Sequence, residues 1–129
     1  MRYLTKILNI TVIVTGCIVT LFVMMTGIYG YFDFKIQAQQ TVTEEQIIQF
    51  IKAIEIYKLK HSAYPSNLKI IQSYLTEGIP QDPWGSEYIY ELSKENGKEY
   101  YKITSYGADK KPGGVGQDAD IFRTNRPIK

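Results

Sequence analysis

From Ile7 to Phe32 the chain carries no charged residue, and Ile, Val, Leu, Met, Phe and Thr make up most of the stretch. A hydrocarbon layer of roughly 30 Å is crossed by about 20 apolar helical residues, since a helix satisfies its backbone groups internally. The run therefore predicts a membrane-spanning helix over residues 1–32, long enough to span with some tilt. Arg2 and Lys6 precede it, while Asp33 and Lys35 follow it and cancel. The positive-inside rule then puts a short N-terminal tail in the cytoplasm and everything after Phe32 on the far side. Tyr29, Tyr31 and Phe32 are spaced to form the outer aromatic belt. A cleaved signal peptide would have a shorter apolar core, about 7–15 residues. Val14-Thr15-Gly16-Cys17 has small residues ahead of a cysteine, as lipoprotein signals do, but the apolar run continues well past Cys17.

Beyond the apolar run the pattern changes to an amphipathic helix. Ile47, Phe50, Ile51, Ile54 and Tyr57 follow the i, i+3, i+4, i+7 spacing, with Gln49, Lys52, Glu55 and Lys58 mostly opposite. Thr43-Glu44-Glu45-Gln46 forms a capping box if the helix starts there. Alternatively the helix continues from the membrane, since neither Gly nor Pro occurs between Tyr31 and His61. Continuity predicts a rod of about 55 residues, on the order of 80 Å long, and is the favoured reading. The helix should end near His61-Ser62-Ala63-Tyr64-Pro65, because Pro65 pushes Tyr64 out of helical geometry. Ser66 then caps a short helix carrying Leu68, Ile71, Tyr74 and Leu75, which Gly78 ends. After the turn-rich Ile79 to Gly85, strands are expected from Glu87 to Leu92 and from Glu99 to Thr104, joined through Asn96-Gly97.

A net charge of +2 and the lack of any basic patch interleaved with aromatics give no ground for nucleic-acid binding. With the one cysteine, Cys17, no intrachain disulfide is possible. The 11 tyrosines concentrate after position 56 and suit a small, half-buried sheet, Tyr88, Tyr90, Tyr100, Tyr101 and Tyr106 among them. No catalytic set is visible: the one histidine, His61, is far in sequence from Cys17 and reads as structural or solvated. Trp84 is expected to pack the sheet onto the long helix, with Asp82 capping its turn. Glu44, Glu45, Glu55, Lys52, Lys58 and Lys60 read as a solvated helix face, or as salt bridges to a neighbouring subunit.

The run from Ser105 to Ile121 is a long loop with little means of folding itself. It holds glycines at 107, 113, 114 and 116, Pro112, and three carboxylates, Asp109, Asp118 and Asp120. Ordering such a loop costs roughly 1–2 kcal/mol per residue in backbone entropy. Glycines let carbonyls turn inward, and carboxylates with carbonyls are the oxygen ligands of a hard cation such as Ca²⁺. The residues admit two readings: a loop closed by a metal ion, or solvated turn aspartates capping backbone amides. The spacing does not fit the EF-hand pattern.

Long helix, Tyr64-Pro65, short helix, Asp82-Pro83-Trp84-Gly85-Ser86-Glu87-Tyr88, hairpin, Ser105-Tyr106-Gly107-Ala108-Asp109 and the block from Pro112 to Ile121 occur in that order. Over about 43–122 this order resembles the major pseudopilins of type II secretion systems. The resemblance implies an α+β, pilin-like fold: a long N-terminal helix, membrane-spanning in its first half, packed on a small antiparallel sheet with a calcium-closed C-terminal loop. It implies a periplasmic domain over 33–129 anchored in the bacterial inner membrane. Its partners would be other pseudopilin subunits and secretion-machine components. It also implies a structural duty rather than an enzymatic one. For the metal it implies Asp109 and Asp120 as ligands, Asp118 as a third, and backbone carbonyls from Tyr106 and from within Val115 to Gln117, taken as Gln117.

Members of that family begin with a short basic leader and a Gly-Phe-Thr-x-x-Glu processing site, and nothing between Met1 and Tyr31 matches it. Two functions are therefore expected: a polymerising pseudopilin subunit, or a non-polymerising, membrane-anchored pseudopilin-like accessory module of the cell envelope. Lys110 and Lys111 add positive charge beside the expected ion, which weakens binding if they point inward.

Overall fold

The computed structural model describes residues 1–127, so the last two residues of the domain expected over 33–129 lie outside it. The chain divides into two compact units, Met1–Lys35 and a second that begins at Ile36. The first helix, α1 (Arg2–His61), supplies the first unit after Met1 and the first element of the second. Gly and Pro are absent between Tyr31 and His61, so nothing in that stretch interrupts the ladder of i to i−4 hydrogen bonds.

In the first unit every residue is exposed, including the large apolar ones from Ile7 to Phe32. Among the described residues α1 is the one helix long and apolar enough to cross a membrane. The threonines of this stretch suit that surface. Thr11, Thr15 and Thr20 donate their hydroxyls to carbonyls three and four residues back, and Thr26 to Val23 O at 2.9 Å. Each hydroxyl is thus satisfied within the helix, which a hydrocarbon environment requires.

In the second unit, Ile47, Phe50 and Ile54 are fully buried on one stripe of α1, as their spacing predicts. Thr43 is also fully buried and donates its hydroxyl to Gln39 O at 2.9 Å. It therefore sits inside the helix and serves no capping box. The helix stops at His61, after a last turn holding Lys58, Lys60 and His61, cations that suit the negative end of the dipole. Ser62 follows in the left-handed region at φ 57°.

Leu68–Tyr74 forms a 3-10 turn. The cap is Asn67, whose Oδ1 accepts from the amide of Ile70 at 3.3 Å, and not Ser66. Three antiparallel strands follow, β1 (Ile89–Glu95), β2 (Lys98–Ser105) and β3 (Ile121–Thr124), in the order β1-β2-β3. Asn96 and Gly97 both have positive φ, 50° and 76°, which fits the two-residue hairpin turn their sequence predicts. β1 begins two residues later than Glu87 and runs past Leu92. The Asp82 turn holds Ser86 at one end, and pairing starts only where Ile89 faces Thr104.

β3 pairs Ser105 with Ile121 and Lys102 with Thr124. Ile121 returns to the core, but Phe122 is 48% exposed, because alternate residues of a strand face opposite sides. Its ring lies under the Lys102 ammonium, 4.9 Å from the centroid. The core joins Ile47, Phe50, Ala53 and Ile54 of α1 to Leu68, Ile71, Tyr88, Tyr101, Ile103 and Ile121. Phe50 meets Tyr88 edge-on at 5.0 Å, and Trp84 packs against the same cluster from its rim. The result is an α+β domain: a long N-terminal helix packed on a small antiparallel sheet.

Candidate functional site

The site is assembled around one buried carboxylate. Asp82 Oδ1 accepts from the amides of Trp84 at 3.1 Å and Ser86 at 2.7 Å, an Asx-type turn that Gly85 completes at φ 77°. That much matches the expected capping role. Its second oxygen, Oδ2, accepts from the Ser105 hydroxyl at 2.6 Å, and Ser105 Oγ in turn accepts from the Gly107 amide at 3.3 Å. Asp82 and Ser105 are both buried, 4% and 1% exposed. Ser105 stands in the sequence only as the first residue of the loop and of the Ser105 to Asp109 block; its buried hydrogen bond shows only once Asp82 is seen against it.

From Ser105 the acidic loop runs to Ile121 and closes on itself through its backbone. The Ala108 amide donates to Gln117 O at 2.9 Å, and a 3-10 turn spans Gly116–Asp118. Gly107 sits at φ 65°, and a Cβ there would lie 2.6 Å from Gln117 O. At Gly114, φ 81°, it would lie 2.3 Å from Asp118 O. No side chain fits at either position. Gln40 of α1 reaches across and donates Nε2 to Gly116 O at 2.9 Å, fastening the helix to the loop.

Asp109 is exposed and its Oδ1 accepts from the Lys111 amide at 3.0 Å. Half-buried Asp120 accepts from the Gly113 amide on Oδ2 at 3.0 Å, while its Oδ1 is buried with no hydrogen-bond partner among the described residues. Asp118 is half-buried within the 3-10 turn. Tyr106, next to buried Gly107, is half-buried, and the Gln117 carbonyl faces Ala108. Lys110 and Lys111 are both exposed.

The five expected ligand residues thus share one loop. Yet among the described residues no three acidic, histidine or cysteine side chains converge closely enough to hold a metal. Asp109 and Asp120 each spend one oxygen on a backbone amide. The donor set nevertheless fits a hard cation in kind: it is all oxygen, and Asp120 holds one lone oxygen out of water. Leaving a buried acceptor unpaired costs roughly 1–3 kcal/mol, more if it is charged.

Several other titratable groups are engaged within the chain. Burial pushes the phenols of Tyr88, Tyr90 and Tyr101 well above the usual tyrosine range. Lys58 donates to Tyr64 Oη at 2.6 Å, and that bond raises the ammonium above its ordinary value. Of the helix face expected to be solvated or to bridge neighbours, Glu44 pairs with Arg123 of β3 at 3.0 Å and Glu55 accepts from Tyr101 Oη at 3.4 Å. His61 is exposed, stacked on the Tyr57 ring at 4.1 Å, its Nδ1 3.0 Å from Tyr57 O.

The family described as type II secretion system (T2SS), protein G matches residues 68–124, from the 3-10 turn through β3 and across the acidic loop. The type II secretion system core protein G of Pseudomonas aeruginosa is 33% identical over 103 residues, 66% of this chain and 70% of that one. That of Vibrio cholerae is 31% identical over 107 residues, 70% of each chain.

Proposed function

The chain belongs to the type II secretion system protein G family, and from that premise we propose that it is a structural, non-enzymatic pseudopilin subunit whose acidic loop Ca²⁺ closes. It stands in the bacterial inner membrane by the first part of α1, with its C-terminal domain in the periplasm. The exposed, uncharged surface from Ile7 to Phe32 supports the anchor. Arg2 and Lys6 ahead of that surface support the orientation. Its partners are other subunits of the same kind and the components of a secretion machine.

One observation carries the calcium reading: Asp120 Oδ1 is buried without a partner among the described residues, in a loop of oxygen donors. Asp109, Asp118 and Asp120, with the carbonyls of Tyr106 and Gln117, would hold the ion. Bound there, the ion would supply positive charge to the Asp109, Asp118 and Asp120 carboxylates. The chain's own contribution is the preformed backbone: Gly107 and Gly114 admit the close approach of the 117–118 backbone, and Gln40 pins Gly116.

The second reading is the non-polymerising accessory module. It is favoured by the mismatch of residues 1–31 with the Gly-Phe-Thr-x-x-Glu site of the resembled family and by the absence of any carboxylate between Ile7 and Phe32. Cysteine cross-linking separates the two. With Cys17 replaced by serine and a pair of cysteines placed in the same chain at exposed positions 48 and 59, oxidation in membranes should yield a homomeric ladder. Monomer alone, with both cysteines reactive to maleimide, would decide for the accessory module.

A further inference from the structure

The Asp82 turn and the acidic loop are distant in sequence yet share one buried relay. Asp82 Oδ2 accepts from Ser105 Oγ at 2.6 Å, and Ser105 Oγ accepts from the Gly107 amide at 3.3 Å. Gly107 is the residue whose backbone lies against 117–119, and the next amide, Ala108, donates to Gln117 O at 2.9 Å. From the carboxylate to the Gln117 carbonyl there are thus three hydrogen bonds and no exposed side chain.

The direction of these bonds matters. A serine hydroxyl has one proton and two lone pairs. Asp82 accepts the hydroxyl's hydrogen bond, which leaves a lone pair of Ser105 Oγ for the Gly107 amide and polarises the oxygen toward it. The carboxylate is satisfied by two amides and one hydroxyl, which accounts for a buried acid with no cation against it. We propose that Asp82 is a positioning residue of the acidic loop. Acting through Ser105, it fixes the first turn of that loop and so the approach of the Gln117 carbonyl and the Asp118 and Asp120 carboxylates. The inference rests on the calcium reading for its ligand, but the relay is a property of the chain with or without the ion.

Two substitutions test it in the full chain held in detergent micelles. Ser105→Ala deletes the hydroxyl. Asp82→Asn keeps an oxygen for the Trp84 and Ser86 amides but turns a donor toward Ser105, reversing the relay while sparing the turn. Amide exchange in EDTA reads the loop directly, and titration with CaCl₂ followed by calorimetry reads the site. In both variants the Gly107 and Ala108 amides should exchange on the order of tenfold faster, the scale of one lost hydrogen bond. Amides of the β1–β2 ladder should hold their rates, and Ca²⁺ should bind roughly tenfold more weakly. A lower melting temperature with unchanged loop exchange and unchanged Ca²⁺ binding would overturn the proposal, since Asp82 would then be a turn residue alone. If the native chain takes up no Ca²⁺ yet Ser105→Ala speeds loop exchange, the calcium reading falls and the relay stands.

Discussion

Asn125 accepts the Tyr101 amide on its Oδ1 at 2.8 Å and donates through Nδ2 to Tyr64 Oη at 3.0 Å. The side chain thus continues the β2–β3 pairing one step past Thr124, where the strand itself has ended, and ties that edge to the Tyr-Pro bend after α1. Removing it strands the Tyr101 amide beside a buried ring. Asn125→Ala should therefore cost about 1–2 kcal/mol, read as a lower urea midpoint at unchanged slope in a soluble fragment beginning near Ile36.

The core makes a sharper contrast. Phe50 is fully buried against Tyr88, whereas Ile48, two residues earlier on the same helix, is 45% exposed. Phe50→Ala should destabilise the same fragment by about 3–5 kcal/mol, and Ile48→Ala by less than about 0.5 kcal/mol. Equal losses would mean that the buried stripe of α1 is misassigned.

Glycine substitutions separate backbone conformation from crowding. At Gly97, φ 76°, a Cβ meets nothing within 4 Å, so Gly97→Ala carries only the left-handed penalty, about 1–2 kcal/mol. At Gly107 the φ is similar, 65°, but the Cβ would press on Gln117 O at 2.6 Å. Gly107→Ala should cost more by at least about 1 kcal/mol and should also loosen the Ala108 to Gln117 hydrogen bond, visible as faster amide exchange.

Calcium should raise the melting temperature of the native fragment and leave Asp120→Ala unmoved, because that change removes the buried, unpartnered oxygen. Linkage gives about 2.7 kcal/mol at a hundredfold excess over the dissociation constant. Asp109→Ala should behave alike if both carboxylates are ligands. An equal rise in both variants would refute the assignment of the loop as the site.

How much of this was legible beforehand follows the physics of each signal. The stripe Ile47, Phe50, Ile54 and the Asn96-Gly97 turn were readable because periodicity and positive φ are local demands. β3 is not legible as a strand in the sequence, since four residues give no period and their pairing is fixed by β2. The outward direction of Phe122 follows from that pairing and from nothing local. The acidic residues of the loop were readable by composition, and amide capping by them was one of the two readings; which amides they take, those of Lys111 and Gly113, depends on the fold of the loop backbone. The bond made by Ser105 was not legible for a further reason: a serine gains its role only from the buried carboxylate facing it across the sheet end.

Alkaline pH should unfold the second unit through its tyrosines. Burial raises the phenols of Tyr88, Tyr90 and Tyr101 above the ordinary value of 10.0, so the folded state keeps protons that the unfolded chain releases. The sign follows directly: where the unfolded state binds fewer protons, stability falls as pH rises. The contribution is whole below pH 10 and declines above it, by about 1.4 kcal/mol per pH unit for each phenol still protonated in the fold. Lys58, raised by its bond to Tyr64, pulls the same way. Absorbance at 295 nm should show a group of tyrosines ionising late and together with the loss of near-ultraviolet dichroism. Tyr101→Phe should shallow the decline of stability with pH above that point by about one phenol's share. A titration in which all tyrosines ionise near 10 with the fold intact would contradict the burial assigned to all three.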